Sequence, residues 1–152
     1  MFAYSEAFEY ETKLMSPLLK ILVIIFTFPN TLIGLFLGTV ALFTGGSLQI
    51  KRGCLEFHGG FATWLLKRIP PFVTAKGVGA MTLGHVILGQ TAETLDRVRD
   101  HEHVHVRQFE TWGPLFIPMY IAFSGVLWFL RRDPYLENPF EVEAYGKIEY
   151  RN

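Results

Sequence analysis

The sequence predicts an α+β fold that carries an apolar membrane segment near its N-terminus, and three observations support this prediction. Residues 21–44 contain no charged side chain over a length that suits a membrane-crossing helix. Residues 46–90 contain short alternating runs separated by glycines, which predict a small sheet. Residues 91–112 place apolar and polar side chains at helical spacing. We therefore divide the chain into residues 1–45, a tail with an apolar membrane segment, and residues 46–152, one domain.

The apolar segment 21–44 is predicted to associate with a membrane. About 24 helical residues reach roughly 36 Å, and the hydrocarbon core of a bilayer is about 30 Å thick. Pro29 and Asn30 lie near its middle, so the segment forms either one kinked transmembrane helix or two short helices of a re-entrant hairpin. A buried core hairpin of a soluble protein is the remaining alternative. The chain holds 14 phenylalanines, a surplus that favours the membrane.

Residues 46–90 are predicted to supply the sheet. Two alternating runs around Arg52 and Gly53 are typical of a β-hairpin, and a brief helix and one further strand follow it. In chain order these elements are the hairpin strands 48–50 and 55–57, the helix 61–68, which Pro70 and Pro71 end, and the strand 80–88. His58 and His85 are expected to be structural histidines.

The long helix 91–112 is predicted from a continuous stripe at 3-4-3-4-3 spacing. The stripe comprises Leu95, Val98, Glu102, His105, Phe109 and Trp112. A threonine, Thr91 or Thr94, caps the start of the helix, and Gly113 followed by Pro114 ends it. Residues 101–105, which contain three histidines, are therefore predicted to lie on a helix.

These five residues form the motif H-E-x-x-H, from His101 to His105. Each residue of a helix turns by about 100°, so His101 and His105 lie one turn apart on one face and can bind the same metal ion. In zinc hydrolases the metal lowers the pKa of its bound water to about 7 and a carboxylate takes the proton, a role for which Glu102 is placed. His103 points away from the pair and is expected to be an ordinary exposed or half-buried imidazole. The motif predicts metal-assisted hydrolysis.

Two alternatives to this metal site follow from the same residues. On a strand, His101, His103 and His105 would form a three-histidine cluster on one face. On a helix, Arg99, Asp100, Glu102 and Arg107 would form a solvated charged face with incidental histidines. A carboxylate in the apolar stripe is costly unless it is paired or near a metal, which favours the metal site.

A third ligand is expected downstream, because a catalytic zinc ion typically takes three protein ligands and leaves one position for water. Asn138 as the cap, Pro139 at the first helical position and Glu141 three residues after the cap predict the start of a helix. Glu141 therefore has a capping role available, and it and Glu143 are the two candidates for the third ligand.

These two blocks resemble the gluzincin branch of zinc metallopeptidases, in which an H-E-x-x-H helix is followed by an E-x-x-A-D or similar segment. The longer stretches 101–114 and 134–145 also resemble a group of small bacterial membrane proteins of unassigned function. The gluzincin resemblance rests on residues 101–105 and 141–145. It implies a minimal zincin-like domain, with a short sheet, the motif helix and a ligand-bearing helix. It also implies that zinc is bound by His101, His105 and Glu141, that Ala144 packs behind Glu141, and that Glu143 is the second choice.

The resemblance has two further implications. Tyr145 stands where the family has Asp, so a different group must fix the tautomer of a zinc-bound histidine. The strand that precedes the motif helix is expected to be the sheet edge along which an extended peptide substrate lies. Tyr145 and His85 are weaker candidates for polarising the substrate carbonyl, and Gln108 is expected to hydrogen-bond a neighbouring loop.

A second apolar segment, 113–130, directly follows the motif helix and is closed by Arg131 and Arg132. It predicts a second span, or a helix lying partly in the membrane, within residues 114–130. The charges of Arg97, Arg99, Asp100 and Arg107 place the motif helix at a membrane surface rather than inside the bilayer.

Charge and cysteine content indicate a location. Acidic residues Glu6, Glu9 and Glu11 outnumber Lys13 and Lys20 before the first apolar segment, whereas Lys51, Arg52, Lys67, Arg68 and Lys76 follow it. For a single span this asymmetry predicts an inner or cytoplasmic membrane with the metal site on the cytoplasmic side. The lone Cys54 fits a reducing compartment. A net charge of zero without a basic stripe argues against nucleic acid as a partner.

The sequence therefore predicts a membrane-associated zinc-dependent metallopeptidase whose Glu102 activates water against a peptide bond. The alternative is a non-enzymatic metal-binding membrane protein, or an inactive peptidase homologue that acts as a scaffold or sensor. A third possibility is a lipid-facing module without metal, in which Glu141 is only a helix cap. The expected partners are membrane lipid and a peptide or protein substrate.

Overall fold

The computed structural model describes residues 16–69 and 78–149 and shows a mixed α+β fold. Its elements are α1 (Pro17–Phe43), β1 (Ser47–Lys51), β2 (Cys54–His58), α2 (Gly60–Leu66), β3 (Ala80–Leu83), β4 (Val86–Gly89), α3 (Ala92–Trp112), a 3₁₀ turn (Gly113–Leu115), α4 (Phe116–Phe129) and α5 (Pro139–Glu149). The predicted charges at residues 6–13 and at Lys76, and the prolines at 70 and 71, lie outside the described residues.

The N-terminal apolar segment forms one continuous helix, α1, which runs through Pro29. The Ser16 side chain accepts a hydrogen bond from the Leu19 N–H at 3.3 Å, and Pro17 occupies the first turn, where its missing N–H costs nothing. The chain therefore does not turn back at Pro29 and Asn30, and the re-entrant hairpin alternative is wrong.

Helix α1 presents its small and polar residues to the rest of the protein. Its buried residues are Thr27, Asn30, Gly34, Gly38 and Ala41, whereas large apolar residues along the helix are exposed. A Cβ at Gly38 would lie 2.5 Å from the Phe57 ring, and one at Gly34 would lie 2.7 Å from Val86. The glycines thus allow the helix backbone to lie directly on the sheet.

The sheet has four strands in the order β1-β2-β4-β3. Strands β1 and β2 form the predicted antiparallel hairpin, and Arg52 and Gly53 both have positive φ angles, of 48° and 79°, as a two-residue type I′ turn requires. β2 pairs with β4 in parallel, and β4 pairs with β3 antiparallel. The predicted short helix is also present, as α2.

The predicted single strand 80–88 is wrong, because it is a hairpin of β3 and β4. Gly84, with φ of +63°, turns the chain between them. This difference also corrects the expected position of the sheet edge. The strand that directly precedes α3 is β4, which is internal, and the edge strand is β3.

Helices cover both faces of the sheet. Phe57, Val86 and Leu88 point towards α1 and α2, and Cys54 and Ile87 form a second cluster with Leu95 and Val106 of α3. Ion pairs also join α3 to the sheet. Arg99 of α3 donates to both carboxylate oxygens of the fully buried Glu56, at 2.8 and 2.9 Å. Arg52 pairs similarly with Asp100 at 2.6 Å. These contacts fix α3, and with it the motif, against the sheet.

Candidate metal centre

The H-E-x-x-H motif lies on α3, whose bounds agree with the predicted helix. The Thr91 side chain caps the helix by accepting from the Thr94 N–H at 3.1 Å, and the helix ends at Gly113, where φ is +51°. The strand alternative is therefore wrong. The solvated-face alternative is also wrong, because His101, Glu102 and His105 are buried.

The structure brings the two motif histidines together with Glu141. The Nε2 atoms of His101 and His105 lie 3.0 Å apart. The Glu141 carboxylate lies 3.1 Å from His101 Nε2 through Oε2 and 3.4 Å from His105 Nε2 through Oε1. The three residues are buried and form a group that could hold a metal ion.

The spacing of these atoms fits a tetrahedral ion. Two ligands about 2.0–2.1 Å from zinc at a tetrahedral angle lie about 3.3 Å from each other. The two imidazole nitrogens are 3.0 Å apart, and each lies 3.1 or 3.4 Å from a different oxygen of the Glu141 carboxylate, so these separations are near that value. Glu141 Oε2 is buried without a hydrogen-bond partner among the described residues, although a buried carboxylate oxygen is normally satisfied. A cation bound by the three ligands would satisfy it.

Helix α5 delivers Glu141, and its cap is the one that the sequence predicts. The Asn138 side chain accepts a hydrogen bond from the Phe140 N–H at 3.1 Å, and Pro139 is the first helical residue. The Glu141 carboxylate does not fold back onto the cap but faces the histidines and accepts a hydrogen bond from Tyr120 Oη at 2.8 Å. Ala144 is fully buried behind it.

The charges of the centre depend on one another. Burial alone would raise the pKa of the Glu141 carboxyl, but the adjacent imidazoles of His101 and His105 outweigh it and lower the pKa to about 2. Burial alone would lower the pKa of His105, but the Glu141 carboxylate outweighs it and raises the pKa to about 9. The protein therefore holds a carboxylate and a proton where a metal cation would lie.

Glu102 lies in the same cavity but is held separately from the three ligands. The Thr82 hydroxyl, on the edge strand β3, donates to Glu102 Oε2 at 2.7 Å. This bond satisfies one carboxylate oxygen of a side chain that is only 4% exposed. Glu102 is thus oriented beside the ligands without being one of them.

The cavity at the centre has a volume of about 520 Å³. One wall is β3 together with Gly79, and the others come from α3, α4 and α5. Most of its lining residues are apolar, including Met81, Val98, Phe116 and Ile117. Its polar lining residues are Thr82, Arg97, His101, Glu102, His105, Glu141 and three tyrosines, Tyr120, Tyr135 and Tyr145. The cavity can therefore accept an apolar chain beside the metal ligands.

Three residues of the centre were not identified as its members from the sequence. Thr82 and Tyr120 reach it only through tertiary contacts, so no local pattern marks them. Gln108 contacts His105 Nδ1 at 2.8 Å, and its position three residues after His105 on one helix is a signal that could have identified it.

Other predicted residues lie elsewhere or differ from expectation. His103 is 1% exposed, not half-buried, because the sheet side of α3 is covered as well as the metal side. The Glu143 carboxylate accepts from Gln108 and Lys147 rather than facing the histidines. The Tyr145 ring lies 4.7 Å from that of His101. His85 bonds Thr27 and Glu110, at 3.1 and 3.2 Å, a structural role.

Cys54 is also buried, in the cluster between the sheet and α3. Burial, aided by the charges of Glu110 and Glu56, raises the pKa of its thiol to about 12. The thiol is therefore protonated at neutral pH.

Within residues 16–69 and 78–149, two helical stretches are long and apolar enough to cross a membrane. One is α1, and the other lies within the continuous helical stretch Ala92–Phe129, whose uncharged part is 113–129. Comparison of the chain with protein-family models, curated proteins and solved structures finds no match.

Proposed function

We propose that the protein is a membrane-associated zinc-dependent metallopeptidase with a minimal zincin-like domain. The observation that carries this proposal is the convergence of His101, His105 and Glu141 from two separate helices, with Glu102 held beside them. Two imidazoles and one carboxylate form a ligand set that suits zinc and leaves a coordination position for water. Bound zinc would supply an activated water and polarise a carbonyl.

Each residue of the centre has a defined part in this reaction. His101, His105 and Glu141 hold the ion, and Tyr120 holds the Glu141 carboxylate. Glu102 takes the proton of the attacking water and passes it to the leaving amine. Its bond from Thr82 keeps one carboxylate oxygen occupied, so the other is directed to the water.

The edge strand β3 supports an extended peptide as substrate. Gln90 N–H bonds the Gly79 carbonyl at 3.0 Å, and the β3–β4 register continues this pairing, so alternate residues of β3 bond β4. Ala80 and Thr82 then direct their backbone groups away from β4. Both line the cavity, so a peptide strand placed there would run past Glu102.

The outward face of α1 supports insertion into a membrane. Phe36 is 68% exposed and Ile25 62%, whereas Asn30 is buried and donates to the Gly113 carbonyl at 3.0 Å. A helix that turns polar residues inward and large apolar residues outward is suited to lipid, not water. Lys51, Arg52, Lys67 and Arg68 follow α1, so we place the metal site on the cytoplasmic side of an inner membrane.

The metal assignment is tested by zinc content of the purified protein in detergent. We expect about one zinc per chain in the wild type, and loss of zinc in His105→Ala and in Glu141→Gln. Glu143→Gln is the matched control, because Glu143 lies on the same helix but faces Gln108 and Lys147. Zinc retained in Glu141→Gln, or lost equally in Glu143→Gln, would refute the assigned ligand set.

The enzymatic assignment is tested with Glu102→Gln. This variant should keep its zinc and lose at least a hundredfold in the hydrolysis of quenched-fluorescence peptides rich in apolar residues. If wild type and Glu102→Gln bind zinc and are indistinguishable in every peptide assay, the non-enzymatic alternative, a structural or sensory metal site in the membrane protein, replaces the peptidase.

A further inference from the structure

Gln108 is the one described side chain that hydrogen-bonds both a candidate ligand and the helix that carries another. Its Oε1 lies 2.8 Å from His105 Nδ1, and its Nε2 donates to the Phe140 carbonyl and to Glu143 Oε2, each at 2.9 Å. We propose that Gln108 is a positioning residue of the metal centre, which selects the His105 tautomer and docks the first turn of α5. The proposal rests on the metal site proposed above.

The orientation of the Gln108 amide follows from its neighbours. A backbone carbonyl and a carboxylate only accept hydrogen bonds, so the amide NH₂ group must face Phe140 and Glu143. The amide oxygen then faces His105 Nδ1, and an oxygen without hydrogen only accepts. His105 must therefore carry its proton on Nδ1 when it is neutral, which leaves the lone pair of Nε2 to bind a metal.

The hydrogen bond from Gln108 to the Phe140 carbonyl positions Glu141. The Phe140 carbonyl directly precedes Glu141, so the bond from Gln108 holds the turn of α5 that directs the carboxylate to the histidines. The Phe140 side chain is buried among Phe116, Tyr120 and Trp112, which fixes the same turn from the other side. One amide thus links the positions of the second and third ligands.

No equivalent bond holds the other histidine. His101 Nδ1 is buried and has no hydrogen-bond partner among the residues that the structure describes, and its ring packs against Tyr145. Groups that hydrogen-bond a metal-binding histidine fix its tautomer and raise its affinity for the metal, typically 10- to 100-fold. Gln108 performs this task for His105, and it supplies the orienting hydrogen bond that the side chain of Tyr145 does not make.

The test measures zinc affinity by chelator competition, together with the tautomer of His105 by ¹⁵N NMR of its ring in the metal-free protein at a pH where it is neutral. We expect Gln108→Leu to bind zinc about 10- to 100-fold more weakly than wild type and to lose the preference for the Nδ1–H tautomer. Thr63→Val is the control. It removes a hydroxyl of α2 that bonds the Gln90 carbonyl at 2.6 Å and should leave both measurements unchanged.

Two variants that exchange the amide and the carboxylate between residues 108 and 143 distinguish a positioning role of Gln108 from a general role in folding. Gln108→Glu still accepts from His105 but places its carboxylate against Glu143, so zinc binding should weaken. Adding Glu143→Gln restores a hydrogen bond between residues 108 and 143 but not the bond to the Phe140 carbonyl, so zinc affinity should rise above that of Gln108→Glu without reaching wild type, with the Nδ1–H tautomer retained. If Gln108→Leu fails to fold, these two variants test whether Gln108 positions the metal ligands.

The outcomes distinguish this inference from the metal site itself. Zinc affinity and tautomer unchanged in Gln108→Leu, while His105→Ala has lost zinc, overturn the role of Gln108 alone. A double variant that binds zinc no more tightly than Gln108→Glu also overturns it. Zinc retained in His105→Ala refutes the metal site, and the role of Gln108 with it.

Discussion

Helix α1 covers one face of the sheet and helix α3 covers the other, and both turn polar side chains inward. On α1 these are Thr27 and Asn30, which are neutral and bond neighbouring groups, and the outward face is apolar. On α3 they are ionisable, and Glu102, His101 and His105 converge on one cavity.

The difference shows two separate reasons for burying polar groups. In α1, small and neutral polar residues let the helix approach closely while its outer face suits lipid. In α3, buried charge is costly unless it is paired, and each charge is paired or lies beside the proposed metal. Substitutions on the two helices should therefore have different consequences.

The largest loss of stability is expected from breaking the ion pair that docks α3. Glu56→Ala leaves Arg99, whose side chain is 14% exposed, without its buried partner, and should cost about 3–5 kcal/mol of unfolding free energy. Glu137→Ala removes a partner of Arg132 at the surface and should cost far less than Glu56→Ala. Chemical denaturation in detergent compares them, and equal losses would contradict the account.

A somewhat smaller loss of stability is expected from a substitution where α1 packs on the sheet. Gly38→Leu forces a side chain into the Phe57 ring, and overpacking of this kind typically costs about 1–3 kcal/mol. Phe36→Ala removes a large side chain from the outward face of the same helix and should leave stability in detergent nearly unchanged. A larger loss for Phe36→Ala would show that this face packs against protein, not lipid.

In the metal-free protein, both a fall to acidic pH and a rise to basic pH should gradually lower the stabilisation that Glu141 and His105 provide. Because the pKa of Glu141 is lowered, this carboxylate contributes to the free energy of unfolding fully above about pH 4.5, and the contribution is lost as the pH falls through about 2. Because the pKa of His105 is raised, this imidazole contributes fully below about pH 6.5, and its contribution is lost as the pH rises through about 9. The stability difference between wild type and Glu141→Gln should therefore be largest between about pH 4.5 and 6.5. A difference independent of pH would contradict the coupling.

The smallest effect on stability is expected from Thr82→Val. It removes the hydroxyl that bonds Glu102 and should cost about 1–2 kcal/mol. Zinc content should not change, because Thr82 contacts no ligand, whereas hydrolysis should fall about tenfold as Glu102 loses its orientation. Thr63→Val, which removes a hydroxyl bonded to the Gln90 carbonyl, controls for stability alone. Equal activity of the two variants would remove Thr82 from the proposed site.

The sequence predicted the helices whose position depends on side-chain spacing and on capping residues within the same segment. The stripe from Leu95 to Trp112 predicted α3, and Asn138 with Pro139 predicted the start of α5. The 80–88 segment was predicted as one strand, but Gly84, with positive φ, divides it into the hairpin β3–β4. The burial of His103 was not predicted, because the local pattern does not show that the sheet covers this side of α3.

The candidate site was predictable to the extent that its ligands share a helix or a recognisable motif. His101 and His105 follow from their spacing, and Glu141 from the resemblance. Thr82 and Tyr120 could not be predicted, because hairpin formation and the packing of α4 bring them to the centre.

The most direct test of the metal centre is zinc K-edge X-ray absorption spectroscopy on the purified wild-type protein. The account predicts two imidazole nitrogens and carboxylate or water oxygens at about 2.0–2.1 Å in the wild type, and no zinc absorption edge above background in His105→Ala. Zinc absent from the wild type, or bound without any imidazole, would contradict it.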